Sequence, residues 1–164
     1  MERVFINTLI NLIKVTKLQL KYRIVNKEIQ PMIIPTYGTP GSACLDFCAT
    51  EDISFLKTAV IPTNLAFEIP SGYVMLIFSR SSHGFKQGIR LSNCVGVIDS
   101  DYRGEVSIKL ISDNYISGTS PFILIKKGDK IAQFLLVQIP KLELIETDHL
   151  SETIRGEGGF GSTG

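Results

Sequence analysis

From Leu18 onward, apolar residues come in short runs, several of them alternating with polar ones. Nearly every run is closed by Gly, Pro, Asn or Asp. Period-two alternation is the mark of a half-buried strand, and the closing residues supply the dihedrals of tight turns. The pattern predicts strands at 18–25, 43–49, 59–61, 65–69, 73–78, 89–91, 106–112, 122–125, 131–138 and 142–146. Turns are expected at 38–41, 70–72, 113–114 and 127–129. After Lys17 no helical period lasts about 12 residues. Many short strands at this spacing imply an all-β protein: a sandwich, jelly roll or barrel. The run at 73–78, YVMLIF, is apolar on both faces. Such a strand has to be covered twice, by a second sheet or by another subunit.

The two ends break this pattern. Residues 1–17 read MERVFINTLINLIKVTK, with Ile6, Leu9, Ile10 and Ile13 at roughly helical spacing. Asn7, Thr8, Asn11 and Lys14 interrupt the apolar run, and no A-x-A site follows, so a signal peptide is not expected. The segment is also shorter than the ~20 apolar residues of a membrane span. It reads as a packed or frayed extension, with a partner-binding helix or a targeting role as alternatives. Residues 155–164 read RGEGGFGSTG, five glycines in ten residues. Such a segment buries too little surface to offset its backbone entropy, so it is expected to be a mobile arm. It is either a plain flexible terminus or an arm that orders on a ligand. Arg155, Ser162 and Thr163 are phosphate donors, and Phe160 suits stacking on a planar base. A Walker A loop is excluded, because the arm has no lysine and no following helix. The expected organisation is an extension at 1–17, a β-domain at 18–154 and an arm at 155–164.

Length and charge narrow the partners. A chain of 164 residues suits one domain. Lys and Arg number 17 against 16 Asp and Glu. A protein that tracks a nucleic-acid backbone carries a basic excess, so polymeric DNA or RNA is not expected as partner. A small anion held by a few placed cations remains compatible. Cys44, Cys48 and Cys94 are too few, and odd in number, for a disulfide scaffold. Cys44-x3-Cys48 is not zinc-ribbon spacing, and only His83 and His149 are available to complete a site. Reduced, half-buried thiols in a cytoplasmic protein are the simpler expectation.

Candidate chemistry concentrates in a few segments. Residues 93–105 read NCVGVIDSDYRGE and set Val97 and Ile98 beside Asp99, Asp101, Tyr102 and Arg103. A turn at 99–104 is expected to join two strands into a hairpin, with a carboxylate base partly desolvated at an apolar strand end. An ordinary surface turn has the same composition. Residues 79–84, SRSSHG, make either a phosphate cradle or a polar loop. Asp46, inside the mostly apolar SACLDFCA, has to be hydrogen-bonded or coordinating something. Lys127-Gly128-Asp129 reads as a turn, with Gln133 four residues beyond it. Neither histidine has a motif around it, and no G-x-S-x-G elbow is present.

Taken together and in order, SACLDFCA, SRSSHG, GVIDSDYRGE, KGDKIAQ and RGEGGFGSTG span residues 42–164 and resemble the homotrimeric dUTPase family. The resemblance implies a jelly-roll-like β-barrel of the trimeric dUTPase type, with three sites at subunit boundaries. It implies hydrolysis of dUTP to dUMP and pyrophosphate with Mg²⁺, which limits uracil incorporation into DNA and supplies dUMP for thymidylate synthesis. By the same resemblance, Asp99 is the base that orients and deprotonates the water attacking the α-phosphate. Tyr102 packs under the deoxyribose and leaves no room for a 2′-hydroxyl. Asn93 and the backbone around Val97, Ile98 and Ser107 read uracil. Arg80, Ser81 and Ser82 bind phosphates. Asp46 and Gln133 hold waters on the magnesium, and Gln133 also touches phosphate. Arg155, Phe160, Gly161, Ser162 and Thr163 form the closing arm, with Phe160 over the base.

Some positions depart from the family pattern. Cys44, Leu45 and Phe47 are unusual in the first segment, Ser79 stands where proline is common, and Ser82 replaces a common glycine. The first 17 residues have no family counterpart. Two other readings stay open at this point. One is a deaminase of the same fold acting on dCTP, although deaminases lack the full glycine-rich arm. The other is a trimeric binding protein with a regulatory protein partner.

Overall fold

Two antiparallel sheets face each other in a computed structural model that describes residues 17–159 and 161. In chain order the strands begin with β1 (Lys21–Ile24), β2 (Thr36–Tyr37), β3 (Leu45–Cys48), β4 (Ile53–Phe55), β5 (Thr58–Glu68) and β6 (Tyr73–Phe78). A short helix α1 (Ser81–Gln87) follows. Then come β7 (Ile89–Leu91), β8 (Val95–Ile98), β9 (Glu105–Ser112), β10 (Ile123–Ile125) and β11 (Lys130–Gln138). One sheet has the order β1-β5-β9-β7, the other β2-β3-β11-β6-β8, and β10 pairs with β4 apart from both. This is the expected all-β, jelly-roll-like sandwich.

The alternating runs explain the layers. Met75, Ile77 and Phe134 point inward and are buried. Phe47 and Phe134 from one sheet meet Phe67 from the other, with centroids 4.6 Å apart for Phe47–Phe134, 6.0 Å for Phe47–Phe67 and 5.8 Å for Phe67–Phe134. These rings join the two sheets through tilted and edge-on contacts. Among the described residues no buried side-chain polar atom lacks a partner.

The run at 73–78 is most deeply buried on its inner face, while on the outer face Val74 is buried and Leu76 and Phe78 are half-buried. Residues directly opposite in a sheet share a face. Leu76 is opposite Leu135 and Val97, Val74 opposite Val137, and Phe78 opposite Val95. This outer face is apolar, and Val97 is 60% exposed on it. Its exposed part lies on β8, at Val95 and Val97.

Several expectations need correction. The strand expected at 142–146 does not form; the segment has no regular structure, and Leu142, Leu144 and Ile145 are 80% or more exposed. Its alternation is real, but a strand needs an edge, and none of the described edges of this chain receives it. The runs at 59–61 and 65–69 are one continuous strand, β5, interrupted by a bulge. The loop expected at 79–84 opens α1. The turn at 99–104 does not close a hairpin, because β8 pairs with β6 while β9 pairs with β5 and β7. β2 and β4 are too short to give a periodic signal. Cys94 is exposed rather than half-buried, and all three thiols are free. Among the described residues, no helix is long and apolar enough to cross a membrane.

Candidate active site

The separation of β8 and β9 into different sheets creates the first half of the site. After β7 the chain turns at Cys94, whose φ of 62° lies in the left-handed region. Its N–H donates to the Leu91 carbonyl at 3.3 Å. The chain thereby leaves one sheet and enters the other as β8, an edge strand. The gap between β8 and β9 is a cleft of about 390 Å³ lined by Asn93, Gly96, Val97, Ile98 and Ser107. It adjoins a second cavity of about 370 Å³ that shares Val97, Ile98 and Ser107 and adds Asp99, Tyr102 and Glu105. An edge strand leaves a row of peptide N–H and C=O groups unpaired, and such a row can read a planar ligand through its donors and acceptors. Gly96 packs closely: a Cβ there would lie 3.1 Å from the Ile77 Cβ, so Ile77 would have to give by a few tenths of an ångström.

Asp99 and Tyr102 occupy the turn at the cleft's mouth. The Tyr102 N–H donates to the Asp99 carbonyl at 3.2 Å. The Tyr102 hydroxyl donates to the Glu105 carbonyl at 3.1 Å, which lays the ring over Gly104; any Cβ at Gly104 would collide with it. Arg103 is spent on the turn itself, donating to the carbonyls of Ser100 at 2.7 Å and Tyr102 at 3.0 Å. Asp99 is exposed. The partial desolvation expected of it is not supplied by its own chain.

A second cluster surrounds Asp46. Its carboxylate takes the Arg80 Nε at 3.0 Å on one oxygen and the Lys130 Nζ at 2.7 Å on the other. The Arg80 guanidinium also reaches the Ser82 hydroxyl at 3.3 Å. Gln133 is directly opposite Asp46 in the sheet, and its Nε2 donates to the Ser79 carbonyl at 3.0 Å. The apolar strand therefore carries a carboxylate because two cations and a facing amide surround it. Ser81 and Ser82 begin α1, and His83 follows. Burial, with the Arg80 charge second, holds the His83 imidazole below its ordinary pKa. Burial, with Asp46 second, pushes the Cys44 and Cys48 thiols up, so neither is a ready nucleophile. Sequence reasoning did not name Lys130 or Glu105. Lys130 was legible only through pairing, since β11 brings it across from Cys48, two residues from Asp46.

The structure does not bring the two clusters together in one chain. Gln133 is opposite Phe78 at one end of β6, and Ile98 is opposite Met75, three positions further along. At strand rise that is roughly 10 Å before Asp99 is reached. The hydrogen bonds recorded for the described part of the arm are local ones. Arg155 Nε donates to the Gly158 carbonyl at 2.7 Å, and Gly161 has a φ of 95°. Phe160, Ser162 and Thr163 lie outside the described residues.

A family model described as dUTPase matches residues 30–164. The deoxyuridine 5'-triphosphate nucleotidohydrolase of Finegoldia magna is 42% identical over 149 residues, covering 88% of this chain and 99% of the relative. That of Nautilia profundicola is 41% identical over 149 residues, covering 90% and 99%. Among solved structures, Staphylococcus bacteriophage 80alpha dUTPase with dUpNHpp superposes with a TM-score of 0.76 at 27% identity, over 89% of this chain and 98% of that one. The matched region takes in the β8–β9 cleft, the Asp46 cluster and the glycine-rich end alike, and on that ground the chain belongs to the dUTPase family.

Proposed function

We infer that the chain hydrolyses dUTP to dUMP and pyrophosphate, at sites that more than one copy completes. The observation that carries this reading is the cleft between β8 and β9, floored by peptide groups and Asn93, with Asp99 and Tyr102 at its mouth. Uracil and cytosine differ in donor and acceptor at the 4-position and N3. A reader made of fixed peptide groups leaves at least one group unpaired with cytosine, at about 1–3 kcal/mol per group. A stiff backbone wall also refuses the methyl of thymine by shape. Asn93, Val97, Ile98 and Ser107 are the base readers, and Tyr102 is the surface on which the deoxyribose rests.

Triphosphate hydrolysis needs charge neutralisation, alignment and one oriented water. Asp99 accepts a proton from that water as its oxygen attacks the α-phosphorus, and pyrophosphate leaves. Arg80, Ser81 and Ser82 hold the phosphate chain. Arg80 is already oriented by Asp46, so it presents a fixed fork to an incoming anion. Arg155, Gly161, Ser162 and Thr163 close on the outer phosphates, and Phe160 stacks over the base. Asp46 and Gln133 face each other and would hold Mg²⁺ through its waters, with the Asp46 carboxylate shared between that hydrated ion and the Arg80 and Lys130 cations it already pairs with. Bound there, the ion would supply charge neutralisation to the phosphates.

Assembly follows from the same geometry. Asp99 and the Asp46–Arg80 cluster are separated along β6 within one chain, while the outer face built on Leu76, Leu135 and Val97 is apolar. A homotrimer covers that face and lets one copy's Asp99 turn meet another copy's phosphate cluster. The extension at 1–17, the β-domain at 18–154 and the arm at 155–164 are the working parts in this reading. The free thiols suit a reducing compartment, the cytoplasm. Hydrolysis in ¹⁸O-water tests the chemistry. Label in dUMP supports attack at the α-phosphorus, and label confined to pyrophosphate contradicts it.

A further inference from the structure

β5 does not pair evenly with β9. Pro62 is opposite Ser107 and Ala66 opposite Glu105, so three residues of β5 face the single Val106 of β9. The excess is a bulge that turns on Asn64, at a φ of 60°. Asparagine tolerates this left-handed conformation better than most residues. Side chains and backbone tie the bulge down on every side. The Thr63 hydroxyl donates to the Val106 carbonyl at 2.7 Å. The Asn64 amide donates to the Asn26 carbonyl at 2.8 Å and accepts from the Asn26 N–H at 2.6 Å. The Asn64 backbone N–H donates to the Glu105 carboxylate at 2.6 Å. Glu105 lines the cavity of Asp99 and Tyr102, and its own carbonyl accepts the Tyr102 hydroxyl.

We propose that Glu105, fastened by the Asn64 N–H, is a positioning residue that fixes the Tyr102 ring and thereby sets the discrimination between deoxyribose and ribose. The proposal rests on the reading of Tyr102 as the surface under the sugar. Refusing one hydroxyl by contact demands a stiff wall, because a ring that yields by an ångström admits it. The tip of Tyr102 is held by one hydrogen bond, to the first residue of β9. That residue sits where the bulge interrupts the β5–β9 ladder, so the Glu105 side chain supplies the tie that ladder bonds provide elsewhere. The same tie draws a carboxylate toward β5 in a cavity that has to accept a polyanion.

The test is a double-mutant cycle read as the ratio of kcat/KM for dUTP to kcat/KM for UTP. Glu105→Ala and Tyr102→Phe are each expected to lower this ratio about tenfold, the worth of one hydrogen bond in a part-buried site. The loss appears as gained activity on UTP. The double variant is expected to lose no more than either single one, because the two substitutions cut successive links of one chain, Asn64 N–H to the Glu105 carboxylate and the Glu105 carbonyl to the Tyr102 hydroxyl. Glu105→Gln keeps an acceptor for the Asn64 N–H and is expected to keep the ratio. Independent, multiplying losses overturn the proposal. So does a wild-type ratio in Tyr102→Phe, which leaves the bulge intact and answers the question even if Glu105→Ala fails to fold. Tyr102→Ala separates the two layers of the argument. If it still excludes UTP, the reading of Tyr102 is wrong. If it admits UTP while Tyr102→Phe and Glu105→Ala do not, only the role of Glu105 falls.

Discussion

Asp99 and Asp46 are both aspartates near strand ends, yet their surroundings give them different work. Asp99 is exposed and free of any cation partner among the described contacts, open to a water and a ligand. Asp46 is nearly buried and spoken for by Arg80 and Lys130. Asp99→Asn is expected to retain nucleotide binding by calorimetry while pyrophosphate release falls about 10³-fold, the scale of losing a positioned base. Turnover near wild type would remove Asp99 from that role. Asp46→Ala leaves two cations facing each other and is expected to cost about 3 kcal/mol in denaturant unfolding, as breaking one partner of a part-buried ion pair does. At this scale the sequence said that Asp46 needed partners, because an apolar strand cannot hold a bare carboxylate. It did not say which, because Lys130 comes within reach only through the pairing of β3 with β11.

Elements were legible in proportion to their hydrophobic period. The runs at 73–78 and 89–91 form strands with the expected ends, β6 and β7. α1 was missed because seven residues hold too little period to register, and none of them is buried. The hairpin at 99–104 failed for a physical reason: adjacency in sequence predicts pairing, but the left-handed turn at Cys94 had already moved the chain into the other sheet. That failure is what opens the cleft. α1 also carries a pH dependence. The His83 pKa is lowered by burial and by Arg80, with Asp129 opposing. The unfolded chain therefore binds the proton more readily, and stability is full above the ordinary pKa of about 6.5. It is lost as pH falls through the lower folded value. Thermal melts between pH 7 and 5 are expected to show this decline, and His83→Gln to flatten part of it; an unchanged slope would remove His83 as its source.

In the proposed assembly, one chain supplies only part of each site. The doubly apolar run asked for cover on both faces, and the structure leaves the outer one exposed at Val95 and Val97 on the neighbouring strand. The segment at 142–146 makes the same point, since its apolar residues are solvated here despite their alternation. Leu135→Lys places a charge on the outer face and is expected to break the assembly in sedimentation and to abolish turnover with it, since charge is poorly tolerated in a packed interface core. A trimer of unchanged mass and activity would place the interface elsewhere. Removing residues 155–164 is expected to leave the assembly intact and cripple hydrolysis. Dissociation into monomers would make the arm structural instead.

The central claim is that the cleft beside Asp99 selects a uracil deoxynucleoside triphosphate for hydrolysis at its α-phosphorus. Pyrophosphate release from dUTP, dTTP, dCTP and UTP, each with and without Mg²⁺, tests it most directly. The account expects rapid, metal-stimulated release from dUTP and little from the other three. Comparable release from all four nucleotides, or ammonia appearing from dCTP, would contradict it.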